Sequence, residues 1–247
     1  MNKIGKITTT IILLVVLLMI FVLTNLDRGI KAAVETIGPE LTGSEVTLSS
    51  VDLSLTDAKG SFSGLRVGNP QGFEAADAFK LKLISFAMDA EHLASNTIVI
   101  DSLRIVAPEI TMERVGGRSN LDQIEANIAD YLGADNSQGE TDAEEKKFII
   151  RDLRITDAVV HYAILGDKGL DLELPDLHLT DIGESAKGGG GVSGAEAAAE
   201  IIGAITRAAG KAVSQSGAIK GMGRSLEDQI KEKADGLKGL FGNKSEG

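Results

Sequence analysis

The sequence predicts a β-dominated α+β fold: a curved antiparallel sheet bent into a half-pipe, with an N-terminal transmembrane helix before it and a C-terminal helical tail after it. Three observations carry this expectation. Apolar and polar residues alternate through most of 44–183, the period of a half-buried strand. An uncharged stretch over 7–26 is as long as the roughly 20 residues a helix needs to cross a bilayer. After a glycine-rich segment, the apolar period lengthens to that of an amphipathic helix.

The expected order starts with a cytoplasmic stub over 1–6 and the anchor over 7–26. Ile11 to Leu23 is unbroken apolar, with Ile11, Leu14, Leu17 and Phe21 along it. A cleavable signal peptide would need small residues at an A-x-A-like site, and Val22-Leu23-Thr24-Asn25-Leu26 offers none. Lys3, Lys6 and the terminal amine precede the span, whereas Arg28 and Lys31 follow it diluted by Asp27 and Glu35. The positive-inside rule then puts the N-terminus in the cytoplasm and the bulk of the chain outside it. A connecting helix falls within 27–43: Ile30, Ala33, Val34 and Ile37 share a face, and Gly38-Pro39 is read as its stop.

Strands follow from 44 onward. Val46 and Leu48 alternate with polar residues, and Val51, Leu53 and Leu55 continue in shifted phase, which predicts a bulge near Ser49-Ser50. Leu65 and Val67 end at the turn Gly68 to Phe73. Phe79, Leu81 and Leu83 lead to Phe86 and Met88; Ile98, Ile100, Leu103 and Ile105 come next; Pro108 marks a kink before Ile110 and Met112. An inserted helix over 120–132 is capped by Asn120, with Ile124, Ile128 and Leu132 on one face. After an acidic loop over 133–147, strands resume at Phe148–Ile155, Val159–Leu165, Leu170–Leu174 and Leu177–Ile182. A Gly-rich linker spans 184–194. The tail over 195–247 carries one stripe of Ile201, Ile205, Ala208 and Ala212, and a second of Leu226, Ile230, Ala234, Leu237 and Phe241.

The most informative pattern is a repeat. Ile98-Val99-Ile100-Asp101-Ser102-Leu103-Arg104-Ile105 matches Phe148-Ile149-Ile150-Arg151-Asp152-Leu153-Arg154-Ile155 at an offset of 50. Its kernel recurs at Leu65-Arg66-Val67 and, more loosely, at Leu177-His178-Leu179. Stacked units of this kind share one apolar face. The expected groove on that face is lined by Leu53, Leu55, Leu65, Val67, Leu81, Leu83, Ile98, Ile100, Leu103, Ile105, Ile150, Leu153 and Ile155. Arg66, Arg104 and Arg154 read first as solvent-facing strand residues that discourage edge pairing, and second as headgroup contacts.

Composition excludes several classes. A net charge of -11 leaves no basic footprint for nucleic acid. Aromatic residues are 4%, Trp is absent and Cys is absent, which removes stacking platforms, disulfides and thiolate chemistry. His92, His161 and His178 lack metal-ligand spacing, and no G-x-S-x-G or P-loop occurs. No catalytic site, metal or cofactor is expected, and the chain is not read as an enzyme.

The order of these motifs resembles the AsmA-like family, which includes TamB. The likeness runs through the anchor, the Asn69-Pro70-Gln71-Gly72-Phe73 turn, the Ile98–Ile105 segment leading to Pro108-Glu109-Ile110, the Ser119-Asn120-Leu121 helix start, the Phe148–Asp157 repeat and Leu174 to Gly183. The resemblance implies a short member of that family. It implies a single-pass protein of the bacterial inner membrane with a periplasmic β domain over 44–183. Its groove would take phospholipid in lipid handling or envelope assembly, with an envelope protein as a further partner. The alternative is a structural or adaptor module, free of lipid, whose helical tail binds a partner protein. The apolar face discriminates: an open trough favours lipid, and a face filled by its own core or by the tail favours the adaptor.

Overall fold

The computed structural model describes residues 25–93, 95–135, 146–165, 168–184, 186 and 190–217. Residues 25–42 are helical (α1). The strands are β1 (Val46–Thr47), β2 (Ser50–Ser54), β3 (Lys59–Gly68), β4 (Asp77–Met88), β5 (Thr97–Val106), β6 (Glu109–Val115), β7 (Arg118–Ser119), β8 (Lys147–Thr156), β9 (Val159–Leu165), β10 (Lys168–Glu173) and β11 (Leu177–Ile182). Helix α2 is Asn120–Asp135 and helix α3 is Gly194–Gln215.

The sheet corrects the expected half-pipe. It is open and uncurled, with 11 strands, and it is mixed. β5 and β8 pair in parallel, as do β6 and β9. The reason is topological: α2 lies between β6 and β8 in the chain, and a crossover of that length lets β8 re-enter the sheet in the direction of β5.

Pairing shows that several strands are halves of longer ribbons. β1 and β2 both pair with β3, β5 and β6 both pair with β4, and β8–β9 runs beside β5–β6 on one side and β11–β10 on the other. The breaks line up. Ser63↔Ser50 and Arg66↔Thr47 set Gly64 beside Ser49, and Ser63↔Leu83 with Leu65↔Leu81 set Gly64 beside Lys82. The same registers carry the line through Ala107, Asp157 and Pro175. Gly64, Ala107 and Asp157 have φ of 64°, 50° and 54°. A Cβ on Gly64 would meet Ser49 Oγ at 2.2 Å, so glycine there answers both backbone and space. Across this crease the inward phase shifts by one residue: Ile105 is buried before it and Ile110 and Met112 after it, as are Ile155 before and Val160 and Tyr162 after. The bulge expected at Ser49-Ser50 is corrected: the register runs from Thr47↔Arg66 to Ser50↔Ser63 without an extra residue, and the shift of phase comes from the positive-φ crease at Gly64.

One face is the core. α2 buries Leu121, Ile124 and Ile128, α3 buries Ala197, Ile205, Ala209 and Val213, and these pack with Ile84, Ile105, Leu153, Ile155 and Val160 of the sheet. Each fully buried Leu or Ile contributes about 1.5–3 kcal/mol. A capping box between Ser193 and Glu196 starts α3. Helix α1 corrects another expectation, because Gly38-Pro39 does not stop it and the helix continues to 42. Gly38 is instead a close approach: a Cβ there would lie 2.8 Å from Val46. Asn127 Nδ2 donates to Thr42 O at 2.6 Å, and Glu35 accepts the Leu48 N–H at 2.9 Å, tying α1 to α2 and to the β1–β2 edge.

Among the described residues no helix is long and apolar enough to cross a membrane, and the expected single-pass placement in an inner membrane is corrected on that finding. The stub and residues 7–24, with Ile11, Leu14, Leu17 and Phe21, lie outside the described residues, as do the acidic stretch 136–145 and the second tail stripe.

Candidate functional site

The two faces of the sheet have opposite fates. Of the residues expected to line a groove, Val67, Ile105, Ile150, Leu153 and Ile155 are buried in the core, and Leu65, Leu81, Ile100 and Leu103 pack against it. Leu53 and Ile98 are half-buried. Leu55 and Leu83 are exposed. The helices, α3 of the tail among them, fill the face that was expected to be open. Among the described residues this face leaves no open trough for an acyl chain, so the lipid groove and the phospholipid partner are corrected, and the membrane partner is corrected with the lack of a membrane-crossing helix among those residues. The error is one of coverage: alternation marks a face as apolar without stating what lies on it.

The opposite face carries the charged chemistry. Alternation along β5 and β8 puts Arg104 and Arg154 on it, and the parallel register stacks them side by side. The ladder continues to Ser85 on β4 and His178 on β11. Like charges so placed repel. Asp152 relieves them. Its carboxylate bonds the Arg104 Nη2, lies 2.5 Å from His178 Nε2 and 3.4 Å from Arg154 Nε. Desolvation works to raise the Asp152 pKa, but the bonds from Arg104 and His178 and the Arg104 charge outweigh it, so the carboxyl titrates below its ordinary range.

Two more clusters share this face of the molecule. Arg151 Nη1 sits 2.5 Å from Asp101 and 3.5 Å from Asp89. Asp77, nearly buried, is bonded by Arg66 at 2.8 Å and Lys80 at 3.2 Å. Burial opposes ionisation of Asp77, and the Arg66 and Lys80 bonds reverse that and lower its pKa. A cleft of about 490 Å³ opens beside it, with Lys80, Glu109, Thr111, His161 and Asp171 along its floor and wall. His161 Nδ1 lies 2.6 Å from Asp171. The loop over the cleft is held by Glu113, which accepts the N–H groups of Glu74 and Ala75 at 2.9 Å. Asn120 bonds Asn69 at 2.6 Å from the other side.

This arrangement suits recognition by ion pairs and hydrogen bonds. Among the described residues no group of three His, Cys, Asp or Glu side chains could hold a metal. Sequence reasoning singled out Arg66, Arg104 and Arg154 but missed Asp152. The available signal was the one repeat position where Ser102 is answered by Asp152. No family model matches this chain, and no curated protein matches it.

Proposed function

We propose that this chain is a structural or adaptor module that recognises a partner protein and acts by binding, without catalysis. One observation carries the reading: the apolar sheet face is closed by α1, α2 and α3, so the groove that would argue for lipid is absent from the described residues. What the fold presents outward is a polar sheet face and the polar side of α3, where Glu200, Arg207 and Lys211 are exposed. Kinship with the AsmA-like family is part of the proposal and is supported by the motif order and the repeat at offset 50.

Photocrosslinking in cells tests the reading. A benzophenone side chain is placed at Thr180 on the open sheet face, and in a second protein at Arg207 on α3. The expected result is a discrete protein adduct from at least one position. Lipid adducts alone, or no adduct from either position, would overturn the adaptor.

A further inference from the structure

The row Ser85, Arg104, Arg154 and His178 crosses four neighbouring strands on the open face. Three of its members are cationic or can become so, and one carboxylate, Asp152, serves all three. Both Nη groups of Arg104 are engaged: Nη2 bonds the Asp152 carboxylate, and Nη1 donates to the carbonyls of Leu103 at 3.0 Å and Asp152 at 2.9 Å. Arg154 is different. The one side-chain hydrogen bond it makes to a described residue is at Nε, its side chain is 53% exposed, and its Nη groups have no partner among the described residues. A stacked arginine pair with half its charge unanswered is a standing demand for an anion.

In the neighbouring row Leu83 and Val106 lie side by side as an apolar pair, flanked by Ser63 on β3 and by Thr156 on β8, with Asp176 one step beyond. Val106 and Leu83 are 54% and 49% exposed, the two largest exposures among the large apolar side chains described. Val106 lies two residues beyond Arg104 on β5, and one step past Ile84↔Ile105 sets Leu83 opposite it. Arginine beside exposed aliphatic surface is the composition of a protein-recognition patch. The patch holds no aromatic residue on which a base could stack, and the net charge of -11 opposes nucleic acid.

We infer that the face formed by Leu83, Ser85, Arg104, Val106, Arg154 and His178 docks an acidic, aliphatic segment of a partner protein, with a carboxylate on Arg154 and His178 and an aliphatic side chain on Leu83 and Val106. The inference rests on the adaptor reading and supplies its surface. Charge complementarity selects the occupant: the Arg154 Nη groups are cationic and have no partner among the described residues, so a carboxylate of the partner is drawn to them and a basic side chain is repelled.

The test titrates the full-length chain with two fluorescein-labelled extended peptides, one alternating Glu with Val and one alternating Lys with Val, and reads anisotropy. Vesicles of phosphatidylglycerol are the third probe. The Glu peptide should bind, weaken with added salt, and lose roughly fivefold or more in affinity with Arg154→Glu and, separately, with Leu83→Ser. The Lys peptide and the vesicles should not bind. Both substitutions replace exposed side chains, and thermal melting of each variant checks that the fold is intact. Equal binding of both peptides, no binding of the Glu peptide, indifference to both substitutions, or binding of vesicles alone would each overturn the surface. A crosslinked protein from Arg207 combined with such a failure removes this surface and leaves the adaptor standing; absence of adducts from both crosslinking positions removes the adaptor itself.

Discussion

The two copies of the repeat, β5–β6 and β8–β9, lie side by side in register, so most residues of the first pair with the one 50 positions later. Their apolar positions are nearly the same: Ile100 and Ile150, Leu103 and Leu153, Ile105 and Ile155, Ile110 and Val160. Their polar positions are not: Asp101 faces Arg151, Ser102 corresponds to Asp152, and Ala107 to Asp157. Apolar side chains gain by stacking on their own kind, whereas a charge stacked on its copy is repelled. An in-register parallel repeat therefore tolerates identity in its core and needs difference on its charged face. Arg104 and Arg154 are the exception, and Asp152 is the residue that makes the exception tolerable.

The comparison can be broken first in the core. Leu153 is fully buried and its counterpart Leu103 only partly. Leu153→Ala should cost about 2–5 kcal/mol. Leu103→Ala should cost clearly less, and denaturant unfolding of the two variants compares the copies directly. Equal losses would show that the second copy is not the deeper one.

Next comes the charged hub. Asp152→Asn removes the acid that serves both arginines and should lower the melting temperature by less than Leu153→Ala does. The pH dependence has a definite sign. Asp152 and Asp77 have lowered pKa values in the folded state. Their stabilisation is present above the ordinary carboxylate value of about 4 and is lost as pH falls through the lowered values. Acid unfolding followed by circular dichroism should be steeper in the parent chain than in Asp152→Asn. Parallel curves would deny the hub a role in stability.

Exchanging charges sharpens the point about difference. Asp101→Arg alone stacks two arginines and should destabilise; the double variant Asp101→Arg with Arg151→Asp restores opposite charges and should recover most of the loss. Failure of the double to recover would mean that position, and not complementarity, matters at this pair.

The smallest effect lies at the crease. Ala107 and Asp157 are counterparts that share positive φ, and an aspartate tolerates that region better than an alanine. Ala107→Gly should stabilise by up to about 1 kcal/mol and Asp157→Gly by less. Thermal melting that ranks them the other way would shift the cause from backbone strain to the side chain of Asp157.

The sequence alone determined the local order of this protein. The limits of β9 and β11, the change of phase at Ser49-Ser50 and the offset-50 repeat were legible, because alternation and self-similarity are properties of short windows. The expected Asn120 cap of α2 was wrong by one residue: Ser119 Oγ accepts the Asp122 N–H, and the Asn120 side chain is taken by Glu113, Thr111 and Asn69. Only the tertiary structure decided the rest. Whether the second copy ran antiparallel or parallel to the first depended on the path through α2, which no period records. Whether Leu153 and Ile155 lined a groove or a core depended on α3, which starts 39 residues beyond Ile155 and reaches it through space. The meaning of Arg104 and Arg154 depended on their being neighbours, a fact created by the β5–β8 register. Strand identity is local chemistry, whereas pairing direction and coverage are long-range choices made by the free energy of the whole assembled sheet.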